Sequence, residues 1–257
     1  MGGVEVPPRV SNDPEGDDPE ERDDASDGVT VLVAPEALTG ERLVLDGEPY
    51  RHLFRARRLR ADESLRLVDG AGNARAATVE SLDRQRAVLR IGVPLPSRDP
   101  QRRVELLVAM PRPERAAWLV EKTTELGVAA VRFLASERAV RTVDGKALAR
   151  LRRVAAAALE QSGGARLPEL SGPHAIADVA ALAGATASVW CLDPGATSPL
   201  APGGTDAAVV LIGPEGGWSA AELARFADIG ARRARLGART LRLETAAVAA
   251  AALLLSG

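Results

Sequence analysis

Cysteine and histidine are both scarce in this chain of 257 residues, which contains one cysteine, Cys191, and two histidines, His52 and His174. A single cysteine excludes an internal disulfide framework, and so few nitrogen and sulfur ligands argue against a zinc site, so we expect no metal. Long hydrophobic runs are lacking too, since the longest, Ala246–Leu255, is too short to cross a bilayer. No signal-peptide pattern opens the sequence, and we expect a cytoplasmic protein that is neither secreted nor inserted in a membrane.

Lysine and aromatic residues are also rare. Lys122 and Lys146 are the only lysines, so nearly all positive charge is arginine, and an aromatic content of 3% argues against a base-stacking RNA platform. Residues 1–28 carry ten acidic residues and two arginines, a net −8, and the total of −2 therefore leaves +6 on residues 29–257. Arginine suits bidentate contact with phosphates, although a GC-rich genome that encodes arginine in place of lysine would give the same count.

The N-terminal third divides into a tail and a β-rich segment. Residues 1–28, rich in Asp, Glu, Pro and Gly, cannot bury enough apolar surface to fold, which predicts a disordered acidic tail. Residues 29–93 then show short strands separated by turns, a pattern typical of a small β-barrel domain. The predicted elements are strands Thr30–Val33, Glu41–Leu45, Ser64–Val68, Ala74–Ser81 and Ala87–Ile91, with one helix over Glu48–Arg57.

A stiff linker and a second domain follow. Three prolines within residues 94–100 predict the linker. From 101 to 257 strands alternate with helices, which predicts an α/β domain with a mostly parallel sheet and helices on both faces. In such sheets ligands bind at the carboxyl ends of the strands. The predicted strands are Val104–Ala109, Ala129–Leu134, Ser188–Leu192 and Ala207–Ile212, and the predicted helices are Pro113–Leu126, Lys146–Gln161, Ser219–Asp228 and Glu244–Leu254.

The most informative segment is the glycine-rich turn of residues 212–219, directly after a predicted buried strand. Ser219 and Glu222 form a predicted capping box that opens the next helix. The turn fits neither the Walker loop nor the G-x-G-x-x-G fingerprint, and the carboxylate of Glu215 would repel a phosphate. The loop therefore favours a cationic or neutral ligand held close to its backbone.

Four more segments carry functional residue types, each with a structural alternative. Residues 121–128 end a helix at Gly127, and residues 136–141 place Arg138 and Arg141 in a loop after a strand. Residues 159–168 put a carboxylate, an amide, a hydroxyl and an arginine around a helix break. Such groups can contact RNA or can be ordinary caps and surface charges. Residues 236–246 lead into an alanine-rich helix, and Glu244 lies at its N-terminus, where a carboxylate is favoured.

In this order the segments resemble the family of RNA methyltransferases that make 3-methyluridine in 16S ribosomal RNA, within the SPOUT superfamily of knotted S-adenosylmethionine enzymes. In the N-terminal domain the resemblance rests on Arg51-His52-Leu53, on Arg57-Arg58-Leu59-Arg60 and on Val68-Asp69-Gly70. It implies a PUA-like RNA-binding barrel followed by a SPOUT domain with a C-terminal trefoil knot. It also implies 16S ribosomal RNA or the small ribosomal subunit as substrate, and a homodimer.

The resemblance further implies S-adenosylmethionine as the methyl donor, bound by the loops of the knot. Apolar side chains of these loops could enclose the adenine, and Glu215 could tolerate the sulfonium cation. The implied cofactor-binding residues are Leu192, Ile212, Gly213, Pro214, Glu215, Gly216, Gly217, Leu236, Gly237, Leu241, Arg242 and Leu243.

Methylation of uridine N3 requires loss of the N3 proton, which a carboxylate base or an arginine near the developing anion could assist. The candidate bases are Glu160 and Glu215, and the candidate anion stabilisers are Arg138, Arg166 and Arg242, with Gln161 completing the catalytic set. The alternatives are a non-catalytic ribosome assembly factor and methylation of another RNA position; an oxidoreductase is disfavoured by the absent G-x-G-x-x-G. The candidate RNA-binding residues, mainly for phosphates, are Arg51, His52, Arg55, Arg57, Arg58 and Arg60.

Overall fold

The structure is a computed structural model that describes residues 29–51, 59–185, 187–202 and 206–256. The predicted acidic tail therefore lies outside the described residues. So does most of the predicted helix over 48–57, of which the structure gives a short α1, Gly47–Tyr50, and the next residue, Arg51.

The N-terminal domain contains a five-stranded sheet in the order β1-β3-β4-β5-β2. β1 pairs with β3 in parallel, and the other neighbours are antiparallel. Two register shifts between β4 and β5 add local twist, so the sheet curls around a core that includes Val31, Leu67 and Leu89. The strands are β1 Val29–Leu32, β2 Arg42–Asp46, β3 Ser64–Val68, β4 Ala74–Leu82 and β5 Arg86–Pro94.

The C-terminal part is built on a six-stranded sheet, all parallel among the described residues, in the order β11-β9-β10-β6-β7-β8. The predicted α/β class is confirmed. The strands of this sheet have continuous apolar runs because both faces of the sheet are buried. The strands are β6 Arg103–Ala109, β7 Ala130–Ala135, β8 Glu169–Ala175, β9 Ser188–Leu192, β10 Ala207–Ile212 and β11 Arg232–Ala234.

Helices cover both faces of this sheet. One core joins the sheet to the long helices α2, α3 and α6, and a second joins it to the shorter α4 and α5. The predicted capping box is confirmed, because Ser219 Oγ accepts the N–H of Glu222 and the Glu222 carboxylate accepts the N–H of Ser219. The helices are α2 Pro113–Glu125, α3 Gly145–Ser162, α4 Val179–Ala183, α5 Ala220–Asp228 and α6 Leu243–Leu255.

Two strands and one α-helix were absent from the sequence prediction, namely β8, β11 and α4. β8 lies at an edge of the sheet, where proline is tolerated, and it includes Gly172 and Pro173. These two residues are atypical of strands, so the sequence of β8 shows no alternation of apolar and polar residues that would predict it. β11 has three residues, two of them exposed arginines, and α4 has five residues. Elements this short carry too few side chains to show a period.

The C-terminal segment returns from the edge of the sheet to its middle. β11 is the edge strand beside β9, yet α6 packs against α2, β6 and β10. The connection between them, residues 235–242, therefore passes over the carboxyl ends of the strands. The trefoil knot itself stays a prediction.

Residues 95–102 connect the two sheets without a strand or helix of their own. None of the helices in the described part of the chain combines the length and the hydrophobicity that spanning a bilayer requires.

Candidate functional site

A cavity of about 460 Å³ opens at the carboxyl ends of β9, β10 and β11, three neighbouring strands. Its volume lies within the range of roughly 300–1,000 Å³ that is typical of small-molecule sites. Three loops build it: residues 192–194 after β9, residues 212–218 after β10 and residues 234–243 after β11. The crossing of the C-terminal segment over the strand ends thus encloses the space.

The predicted cofactor-binding residues line this cavity with one exception, Gly216. Gly216 lies instead against the side chain of Arg138, whose Cβ is 3.5 Å from the position that a Cβ on Gly216 would take. The same loops add lining residues that sequence reasoning had not selected. These include Asp193, Pro194, Trp218, Arg235, Arg239 and Thr240.

Two glycines of the loop after β10 have distinct structural reasons. A Cβ on Gly213 would lie 3.0 Å from Trp218 Cε2, so any larger residue would crowd the buried indole that packs on this backbone. Gly217 has φ 68° and its N–H donates to Pro214 O at 2.8 Å, which closes the turn. Trp218 in turn packs edge-on against Phe226 of α5, with ring centroids 4.8 Å apart. The packing of Trp218 therefore anchors the loop to the protein core, while the other side of the loop faces the cavity.

Arg115, in the first turn of α2, joins the loop after β10 to the first turn of α6 by ion pairs. Its Nη1 lies 2.9 Å from Glu215 Oε1, and its Nε lies 3.5 Å from Glu244 Oε1. Glu215 is largely exposed, whereas the Glu244 side chain is only 10% exposed. Sequence reasoning missed Arg115 because its partners are about 100 residues or more away along the chain.

Another ion pair and a buried thiol flank the cavity. Asp193 after β9 accepts hydrogen bonds from the guanidinium of Arg233, one of them at 2.8 Å from Nε. Cys191, two residues earlier, is fully buried, and desolvation raises the pKa of its thiol to about 12, with the nearby Asp193 carboxylate adding to the shift. The thiol therefore stays protonated and is not a nucleophile at neutral pH.

The other predicted catalytic residues, apart from Glu215 and Arg242, do not line the cavity. Glu160 Oε1 accepts the backbone N–H of Leu32 in β1 at 2.9 Å. The guanidinium of Arg166 lies over Gly72, and its backbone N–H donates to Asp99 at 3.2 Å. Glu160 and Arg166 thus belong to the junction between the two sheets of the same chain, and Gln161, beside Glu160 in α3, is exposed. Arg138 lies behind the cavity and donates to backbone carbonyls of the loop after β10.

Of the predicted RNA-binding residues, the structure describes Arg51 and Arg60, and both are exposed. His52, Arg55, Arg57 and Arg58 lie outside the described residues.

Fold and cavity together define an α/β protein with a cavity of the size of a small organic ligand at the carboxyl edge of a parallel sheet, preceded in sequence by an N-terminal β domain. Residues 97–255 match the model of a family described as an RNA methyltransferase domain, and residues 45–92 match that of an RNA methyltransferase PUA domain. The chain belongs to this family of RNA methyltransferases, as the sequence motifs predicted.

Individual relatives agree over most of their length. A ribosomal RNA small subunit methyltransferase E from Mycobacterium bovis is 35% identical over 227 residues, which cover 82% of this chain and 85% of that protein. The crystal structure of a ribosomal RNA small subunit methyltransferase E from Neisseria gonorrhoeae bound to S-adenosyl methionine superposes with a TM-score of 0.79 at 27% identity, covering 88% of this chain and 95% of that one. A methyltransferase from Legionella pneumophila in complex with the same cofactor gives a TM-score of 0.76 at 28% identity, over 89% of this chain and 97% of that one.

Proposed function

We propose that this protein transfers the methyl group of S-adenosylmethionine to N3 of a uridine in 16S ribosomal RNA, in the cytoplasm. The observation that carries the proposal is the cavity of about 460 Å³ built by the loops after β9, β10 and β11. The relatives named for methylation of small-subunit ribosomal RNA, and the structural neighbours bound to the methyl donor, support the same activity.

The residues around the cavity fit this donor. Apolar side chains such as Leu192, Leu236 and Leu241 suit an adenine ring, and loop backbone groups can read its edge. The Glu215 carboxylate on the rim suits a cationic ligand, although Arg115 already shares it. When bound, the donor supplies an activated methyl group on a sulfonium sulfur, so positioning is the main task left to the protein.

The chain must also remove the uridine N3 proton and balance the charge that develops on the base. Glu215 and Arg242 are the predicted catalytic residues that line the cavity, and both are exposed to an incoming base. We therefore assign Glu215 to proton removal and Arg242 to stabilisation of the anion on O2 or O4.

We propose a homodimer as the active form. Glu160, Gln161 and Arg166 lie outside the cavity of their own chain, so a role for any of them in methylation would require the cavity of a second copy. Trp118 of α2, 41% exposed, and Leu253 of α6, 38% exposed, lie on the two helices that pack together and offer an apolar surface for such contact. Light scattering on an active preparation tests this, and a monomer would contradict it.

We propose that the N-terminal domain binds RNA mainly through phosphates. Arg51 and Arg60 are exposed arginines of this domain, and such contacts release counterions, so affinity should fall steeply as salt rises. Binding of a 16S ribosomal RNA fragment measured between about 50 and 200 mM salt should weaken by at least tenfold. A constant affinity over that range would reject the electrostatic account.

The decisive experiment maps methylated nucleosides by mass spectrometry in 16S ribosomal RNA from cells with and without this protein. We expect 3-methyluridine to disappear without it and to return with the wild-type gene. Glu215→Ala and Arg242→Ala should fold yet fail to restore the modification. Restoration by both variants would remove these roles, loss of a different nucleoside would indicate another RNA position, and no change would favour a non-catalytic assembly factor.

A further inference from the structure

Two loops that follow non-adjacent strands are tied together beside the cavity. The loop of residues 136–140 follows β7, the loop of residues 213–218 follows β10, and β6 lies between these strands. Arg138 Nη1 donates to Gly216 O at 2.9 Å and to Trp218 O at 3.3 Å. One guanidinium group therefore holds both carbonyls that flank Gly217, the residue with positive φ in the turn.

Glu222 makes a second tie, between the loop after β7 and the first turn of α5, which directly follows the loop of residues 213–218. Its side chain is buried, with 1% of the residue exposed. Oε2 accepts the N–H of Ser219 at 2.7 Å, which is the ordinary capping-box contact. Oε1 accepts the N–H of Glu137 at 3.0 Å, in the loop after β7, and helix capping does not require that bond.

We propose that Arg138 and Glu222 are positioning residues that hold the loop of residues 213–218 in the geometry that binds the methyl donor. The inference rests on the proposed function. Neither side chain lines the cavity, so neither acts by touching its occupant. They act through Gly216, Trp218 and Ser219, and a loop that is ordered before binding gives a higher affinity than one that must be ordered by its ligand.

Three variants and one control test the proposal. Arg138→Ala removes both bonds to the loop, and Arg138→Lys keeps the charge but carries its ammonium on a shorter side chain that does not reach the position of Nη1. Glu222→Gln keeps the shape but has one acceptor oxygen for two backbone N–H donors. The matched control is Arg141→Ala, an exposed arginine of the same segment after β7 for which the described residues provide no side-chain partner.

The first measurement is the calorimetric Kd for S-adenosylmethionine without RNA, at a temperature where circular dichroism shows every variant folded. We expect Arg138→Ala to weaken binding about tenfold, Arg138→Lys and Glu222→Gln by about three- to tenfold, and Arg141→Ala to bind as the wild type does. A lower Tm in Arg138→Ala and Glu222→Gln with an unchanged Kd would make both residues merely structural and overturn the proposal. Absence of binding by the wild type would instead overturn the proposed function.

Steady-state kinetics separate positioning from direct catalysis. A positioning role raises the KM for the donor and leaves kcat at saturating donor within a few-fold of the wild-type value. A fall in kcat with an unchanged KM in Arg138→Ala would assign this arginine to the charge on the uridine, and would overturn its positioning role.

Discussion

Arg115 pairs with two carboxylates from different segments of the chain beside the candidate site. It neutralises the partly buried Glu244 of α6 and holds Glu215 of the loop after β10. We expect Arg115→Ala to lower the free energy of unfolding by about 1–2 kcal/mol, between the values typical of exposed and of buried pairs, because Glu244 loses its cation. Chemical denaturation measures this effect.

The matched control is Arg112→Ala, which removes the same charge from an exposed position just before α2. The Arg112 side chain makes no capping hydrogen bond to the helix, so its loss should not affect α2. Equal destabilisation by the two substitutions would show that the loss of a positive charge, and not the loss of the ion pairs with Glu215 and Glu244, is responsible. A weaker affinity of Arg115→Ala for S-adenosylmethionine would further indicate that the bridge shapes the cavity.

Cys191 permits a simple test of the core next to the cavity. Burial raises the pKa of its thiol to about 12, so the thiolate that reacts with alkylating agents is almost absent at pH 8. We expect no modification of the native protein by iodoacetamide within an hour at pH 8, and complete modification in guanidinium chloride, both followed by mass spectrometry. Rapid labelling of the native protein would mean that β9 opens readily.

At the scale of elements, the turn between β3 and β4 depends on one carboxylate. Burial alone would raise the pKa of Asp69, but hydrogen bonds from the Asn73 side chain and from the N–H groups of Ala71 and Asn73 outweigh it, and the pKa is lowered. A depressed pKa in the folded state contributes stability that is present above the unfolded pKa of about 4 and is lost as the pH falls through the folded value.

We therefore expect Asp69→Ala to cost about 1 kcal/mol of unfolding free energy at pH 7, and the difference from wild type to shrink toward pH 3. Urea denaturation at several pH values measures it. Glu36→Ala, which removes an exposed carboxylate of the same domain, serves as the control. A difference that stays constant down to pH 3 would contradict the assigned role of the ionised carboxylate.

At the scale of the whole molecule, Glu160 connects the two domains by accepting the N–H of Leu32. Glu160→Gln retains an acceptor oxygen for this bond, whereas Glu160→Ala leaves the N–H of β1 without its partner. We expect the glutamine variant to keep a melting temperature near that of the wild type. The alanine variant should melt at a lower temperature, because its free energy of unfolding falls by about 1 kcal/mol. Equal losses in a thermal melt would indicate that the negative charge, and not the hydrogen bond, holds the junction.

The separation along the chain between interacting residues explains which parts of the site could be predicted from the sequence. The loop of residues 212–218 was predicted because a glycine-rich turn after a buried strand is a local pattern and lies at the carboxyl edge of a parallel sheet. The other two loops that line the cavity were implied only by the family resemblance. Arg115 was missed because its partner Glu215 lies 100 positions later in the chain, and a local sequence pattern cannot indicate a contact over that separation. The placement of Glu160 beside Leu32 has the same origin, since the two residues are 128 positions apart.

By itself the sequence determined the long elements, the capping box of α5 and the family, because burial, capping and turn formation depend on neighbouring residues. Three strands were predicted with the same bounds that the structure has, namely Ser64–Val68, Ser188–Leu192 and Ala207–Ile212. Only the tertiary structure decided the edge strands β8 and β11, the cavity volume and the ties made by Arg115, Arg138 and Glu222. These depend on how distant segments cross, and the free energy of such contacts exists only once the chain has folded.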